Sequence, residues 1–194
     1  SKIELGLIGC GGRGEWIANL FARHGGYQVV SCGDYFADRV KAVGDKQKID
    51  PARRHTGLSN YKKVLADKLD AVAIISPPYF HPAQASACVA AGKHVYIAKP
   101  IAVDVPGCAA IETAGKQATD KKLVFLVDFQ TRAMPAYQEV LSRVHRGEIG
   151  KLVTVYAEYQ TSLMFQERDT QLRKDPRNPE LRLRTWGIDR VLSG

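Results

Sequence analysis

"LGLIGCGGRGEWIANL", residues 5–20, starts as an apolar run, passes through closely spaced glycines and ends as a helical pattern. Gly9, Gly11 and Gly14 stand in G-x-G-x-x-G spacing, with Gly12 and Arg13 between the last two. In a strand–turn–helix setting each glycine has a physical task. Gly9 permits the tight turn, Gly11 lets a ligand approach the backbone, and Gly14 lets helix and strand pack closely. A helix that opens at such a turn points unpaired N–H groups and the positive end of its dipole at the ligand, which suits a pyrophosphate.

The next strand covers residues 27–32, and Asp34 follows it, twenty residues after Gly14. A carboxylate there accepts hydrogen bonds from an adenosine ribose and repels a 2′-phosphate, so NAD is expected rather than NADP. Arg39, just beyond, is the type of residue that accommodates that phosphate. The competing reading is a glycine turn with Asp34 serving only as a helix cap.

Further strands are read at 3–8, 71–75, 94–97 and 123–127, and "VAII" and "LVFLV" are continuously apolar, as in strands buried on both faces. Helical patterns alternate with them. "GEWIANLFARHGG" sets Trp16, Ile17, Leu20 and Phe21 on one face, alanine-rich "AQASACVAAGK" ends at Gly92, and a third helix runs through "GCAAIETAGKQA". The alternation predicts an α/β fold, a Rossmann-type doubly wound parallel sheet, over residues 1–128.

The pattern changes after that. "MPAYQEVLSRVHRGEIG" reads as a helix entered near Pro135 and ended by Gly147. "KLVTVYAEYQT" alternates Val153, Val155, Ala157 and Tyr159 against polar neighbours, which predicts a strand with one wet face. The polar, proline-broken "QERDTQLRKDPRNPELRLRTW" and the region Tyr159–Arg168 read as surface loop. Residues 129–194 are therefore expected to form the first part of an α+β second domain, incomplete as it stands.

Composition narrows the class. The 194 residues carry 28 Lys and Arg against 20 Asp and Glu, a net charge of +8, spread along the chain with no basic stripe among aromatics. That pattern argues for a solvated surface and against a nucleic-acid partner. No apolar run approaches the roughly 18 residues of a membrane span. Cys10, Cys32, Cys88 and Cys108 show no CxxC or metal-ligand spacing and read as small packed thiols, so no metal is expected. Such packed thiols suggest a reducing, cytoplasmic setting, and "SKIELGLIGC" enters a strand without signal-peptide character, with a removed export signal left open.

"HVYIAKPIAV", residues 94–103, ends an apolar run on Lys99, and Pro100 biases that lysine to extended backbone. At the mouth of a cleft such an ammonium can hold or relay a proton. A solvent-facing lysine at a strand end is the alternative.

With the glycine loop, "SPPYFH" at 76–81 and "AKP" at 98–100, the chain resembles the Gfo/Idh/MocA family of nicotinamide-dependent sugar and cyclitol oxidoreductases. "IISPPYFHPAQASACVAAGKHVYIAKP" at 74–100 follows that family's Pro-rich turn, histidine, helix, "GKHV" and Lys-Pro, and "RGEIGKLVTV" at 146–155 is similar to its entry into a second domain. The resemblance implies that Ser76, Pro77 and Pro78 line the cofactor's path past the adenosine side. It implies that His81 starts the helix beneath the nicotinamide end, although a histidine bonded only to backbone fits the residues equally. It also implies that Lys99 contacts the substrate hydroxyl at the carbon losing hydride.

The implied function is NAD-dependent hydride transfer at a sugar or cyclitol carbinol, with association into homo-oligomers through the second-domain sheet. NAD-assisted glycoside hydrolysis and a non-catalytic dinucleotide-binding module are the alternatives. Two departures stand out. Ala98 takes the place of the family's usual glutamate, and the Gly-rich and histidine motifs that follow "LSG" in the family are not in this sequence.

Overall fold

Six parallel strands run side by side in the order β3-β2-β1-β4-β5-β6 in the structure, a computed structural model that describes residues 2–160 and 166–194. The strands are β1 (Ile3–Ile8), β2 (Tyr27–Asp34), β3 (Arg54–Thr56), β4 (Ala71–Ile74), β5 (His94–Ala98) and β6 (Phe125–Asp128). Helices α1 (Gly12–His24) and α2 (Ala37–Lys46) accompany one face, and α3 (Asn60–Ala66), α4 (His81–Ala90) and α5 (Val105–Asp120) the other. This is the Rossmann-like architecture expected from the alternation of strands and helices.

The period-2 alternation of each strand divides the core in two. Val72, Ile74, Val95 and Ile97 pack with Val89, Ile111 and Ala114 of α4 and α5. Leu5, Leu7 and Ala73 face the other way, against Ala18 of α1 and Val40 and Val43 of α2. Helix α1 turns only part of the expected face inward, Ile17 being buried and Phe21 packed against the core. Gly14, Ile17 and Ala18 are its buried residues, while Trp16 is 43% and Leu20 36% exposed. Small residues at 14 and 18 let the helix lie close to the sheet, and the bulky Trp16 is displaced outward, where the Arg13 guanidinium lies 5.5 Å from its ring.

Strand β3 was not anticipated, because polar contacts rather than an apolar pattern hold it. Arg54 donates to the Ile49 carbonyl and to Asp45, and His55 bonds the Asp67 carboxylate at 2.9 Å. Asp67 also accepts from the buried Ser31 hydroxyl at 2.6 Å, which ties β2, β3 and the end of α3 together.

Beyond β6 the expectation holds for helix α6 (Pro135–His145) but not for the strand. Residues 151–160 form no strand, and both alternating sets are exposed, Val153 at 87% and Tyr156 at 83%. A strand needs a neighbour to take its N–H and C=O groups, and no described strand lies beside this one. The supposed loop instead contains α7 (Gln166–Lys174) and α8 (Pro179–Arg184), and α9 (Arg190–Ser193) follows it. Residues 161–165, within the region read as loop, lie outside the described residues. Among the described residues no helix is long and apolar enough to cross a membrane. Cys10, Cys32 and Cys88 are buried thiols, whereas Cys108, expected to be packed, is exposed on α5.

Candidate functional site

The strand order reverses between β1 and β4, and there the chain turns at the glycine loop. Gly9 leaves β1 with φ +96°, and a Cβ on it would stand 2.6 Å from the backbone of Ile75 and Ser76 at the end of β4. A Cβ on Gly14 would stand 1.8 Å from the Gly9 carbonyl oxygen, so α1 can approach the loop only because that residue is glycine. Gly11 differs from both. It is the N-cap of α1 and makes no side-chain cap, and a Cβ added there would meet only the Arg39 Nη1 atom, at 3.8 Å. Two of the glycines are thus demanded by the protein's own packing, while Gly11 and Gly12 face open space in front of a helix N-terminus.

Asp34 closes the end of β2 against this loop. Its Oδ2 accepts from the Cys10 N–H at 2.7 Å and its Oδ1 from the Phe36 N–H at 3.0 Å, and it is 8% exposed. The carboxylate fixes the glycine loop and the start of α2 together and still faces the cleft. Cleft walls are formed by Gly9, Gly11, Asp34 and Phe36 on one side and by Ser76, Pro77 and Phe80 on the other. The Ser76 hydroxyl is turned onto the Gln84 side chain of α4, 2.5 Å away.

The remaining predicted residues lie outside this cleft. Pro78 is buried within a 3₁₀ turn (Pro78–Phe80). Arg13 ion-pairs with Asp128 at the end of β6. His81 is 1% exposed, with Nδ1 3.0 Å from the Pro100 carbonyl and Nε2 2.8 Å from the Ser76 carbonyl. Burial pushes its pKa below the ordinary histidine value, against the opposing effect of those carbonyls. His81 thus bonds the end of β4 to the turn after β5, as in the backbone-bonded reading. Lys99 is exposed at the β5 exit, is joined to Pro100 by a cis peptide bond, and makes no ion pair among the described residues. Asp128 stands opposite Ala98 in the β5–β6 register, so a carboxylate occupies the neighbouring strand at the level where Ala98 supplies none.

The motif, the strand order and the cleft all converge on a dinucleotide site, and comparison with known proteins agrees. Residues 3–129 match the family model described as "Oxidoreductase family, NAD-binding Rossmann fold". The chain belongs to the Gfo/Idh/MocA family. Curated relatives include a 4-carboxy-2-hydroxymuconate-6-semialdehyde dehydrogenase of a Sphingobium species, 28% identical over 76% of this chain and 44% of that protein. Inositol 2-dehydrogenase 2 of Saccharopolyspora erythraea is 29% identical over 80% of this chain and 44% of its own length. The chain spans less than half the length of these relatives. Among solved structures, the WlbA dehydrogenase of Bordetella pertussis in complex with NADH and UDP-GlcNAcA superposes with a TM-score of 0.67 at 26% identity, over 78% of this chain and 45% of that one. The scyllo-inositol dehydrogenase of Lactobacillus casei shares the fold at a TM-score of 0.66 and 24% identity, over 77% and 43%.

Membership in the Gfo/Idh/MocA family makes this an NAD-binding Rossmann domain, and the open space at Gly11 fits that cofactor's phosphates. Sequence reasoning missed several residues of the cleft: Tyr35, Phe36, Leu58, Asn60, Leu183 and Trp186. The first four belong to no motif. Leu183 and Trp186 sit in the stretch read as loop, where an apolar pair in a polar run was the available signal.

Proposed function

We propose that the chain uses a nicotinamide dinucleotide to move a hydride to or from a carbinol carbon of a sugar or cyclitol. The observation that carries the reading is the contrast within the glycine loop, where Gly9 and Gly14 are packed against protein and Gly11 opens onto the cleft. The uncapped first turn of α1 would hold the pyrophosphate, and the inositol dehydrogenases among the relatives support the substrate class.

Asp34 already accepts two backbone N–H groups, and its remaining lone pairs face the side where ribose hydroxyls donate. The negative charge there disfavours a 2′-phosphate. The bound nicotinamide supplies the hydride acceptor or donor. Lys99, exposed and without an ion-pair partner among the described residues, would hold the carbinol hydroxyl and, as the neutral amine, take up its proton as the hydride leaves, ending as the ammonium. His81 would keep the Lys99–Pro100 turn in register with the Ser76 turn through its two carbonyl contacts.

A panel of inositols and pyranoses offered with NAD, read as reduced cofactor at 340 nm, tests the reaction. The expected result is slow but stoichiometric reduction with at least one polyol, and a Lys99→Ala rate lower by about 10²–10⁴-fold with cofactor affinity retained. Glycoside cleavage without net NAD reduction would replace this reading with hydrolysis, and an unaltered Lys99→Ala rate would remove the lysine from the chemistry.

A further inference from the structure

Segment 179–194 does not trail from the domain but lies along the C-terminal edge of the sheet. Glu180 accepts from the Tyr35 hydroxyl at 3.4 Å. Arg184 donates both terminal nitrogens to Asp38, at 3.2 and 3.1 Å, and its guanidinium lies 3.8 Å from the centre of the Phe36 ring. Arg39 meets the same ring at 4.7 Å. These contacts fasten α8 to the corner between β2 and α2, beside Asp34. The chain is then fixed further along. Asp189 accepts from Arg182 at 2.6 Å and from the Val191 and Leu192 N–H groups, and α9 packs on the turn Pro78–Phe80.

This anchoring sets Leu183 and Trp186 into the wall of the cleft, together with Asp34, Phe36 and Leu58. Lys99 and Pro100 are not in that wall. The same wall carries Asn60, 6% exposed, whose Oδ1 is buried without a partner while its Nδ2 donates to the Gly57 carbonyl. The Oδ1 atom lies against Gly33 of β2 and not in the cleft. The site is thus flat and apolar on one side, with the Asp34 carboxylate and the Arg39 side chain beside it, which suits an adenosine: an aromatic face and ribose hydroxyls.

We propose that Leu183 and Trp186 roof the adenosine half of the cofactor site, so that segment 179–194 is part of the binding site for an ADP-ribosyl group although it lies outside the matched residues 3–129. The proposal rests on the dinucleotide reading above. It predicts that the segment contributes to affinity through the adenosine end alone.

Calorimetric titration of this chain and its Trp186→Ala and Trp186→Phe variants with ADP-ribose and with NADH tests it. Trp186→Ala should weaken both ligands by the same factor, about tenfold, and Trp186→Phe, which keeps an aromatic face and the packing, should stay within about twofold of the parent. Leu183→Ala should weaken both ligands in the same sense. A loss confined to NADH would place Trp186 away from the adenosine and overturn the proposal. Unchanged or tighter ADP-ribose binding in Trp186→Ala would do so as well, the latter showing that the segment obstructs the site. If the parent chain binds neither ligand, the dinucleotide reading fails and the roof fails with it; if it binds both, only the roof is at stake.

Discussion

Asp34 shows how much one side chain can do at the end of a strand. Its two oxygens take the Cys10 and Phe36 N–H groups while the residue lines the cleft, so it is structural and cleft-facing at once. An amide in its place keeps one acceptor oxygen. Asp34→Asn should therefore leave one buried N–H unpaired, a cost of about 1–3 kcal/mol, and lower the melting temperature by several degrees in calorimetry. It should also narrow the preference for NADH over NADPH, because the repelling charge is gone; an unchanged melting temperature and preference would contradict both roles. At this scale the sequence was informative where spacing imposes geometry: the three glycines and Asp34 were legible because a tight turn and a close helix admit few residue types. It was less informative for Pro78, His81 and Lys99. A motif says that they are near the cofactor edge but not which way each turns, and here two are buried while Lys99 is exposed. The pairing of Asp128 with Arg13 opposite Ala98 depends on the register of β5 and β6, which local pattern does not specify.

Elements with apolar faces were legible, and elements held by polar contacts were not. The five apolar strands were found within a residue or two, while β3 was missed because Arg54 and His55 are anchored by carboxylates and a carbonyl. Residues 151–160 show the reverse error: alternation predicts a strand, but pairing depends on a partner that periodicity cannot supply. Helices α8 and α9 look like surface in sequence because their anchors are charges. Asp189 gives that anchorage a pH dependence. The Arg182 guanidinium holds its carboxyl below the ordinary carboxylate range, opposed by burial and aided by the Val191 and Leu192 N–H groups. A depressed carboxylate pKa stabilises the folded segment above the unfolded value of roughly 3.9, and this stabilisation is lost as pH falls through the lower folded value. In a Trp16→Phe background, Trp186 emission should stay unshifted to about pH 4 and move to the red below it. Asp189→Asn should show the red-shifted spectrum at neutral pH with no acid step. A single spectrum from neutral pH to pH 2 in the parent would contradict the anchoring.

Over the whole molecule, function follows from the order of the strands. Because β1 is flanked by β2 on one side and β4 on the other, the crossovers leave in opposite directions and open a crevice at the carboxyl ends of the strands, where ligands bind in such sheets. The glycine loop, Asp34, the Ser76–Pro77 turn and Trp186 meet at that crevice from four separate parts of the chain. The net charge of +8 adds a general attraction for an anionic dinucleotide. The central claim is that this crevice is a working NAD site, and calorimetric titration of the 194-residue chain with NADH, and separately with NADPH, tests it most directly. One saturable site for NADH, with NADPH weaker by about tenfold or more, is the predicted result. No saturable heat with either cofactor would contradict the account, and tighter binding of NADPH would contradict the role assigned to Asp34.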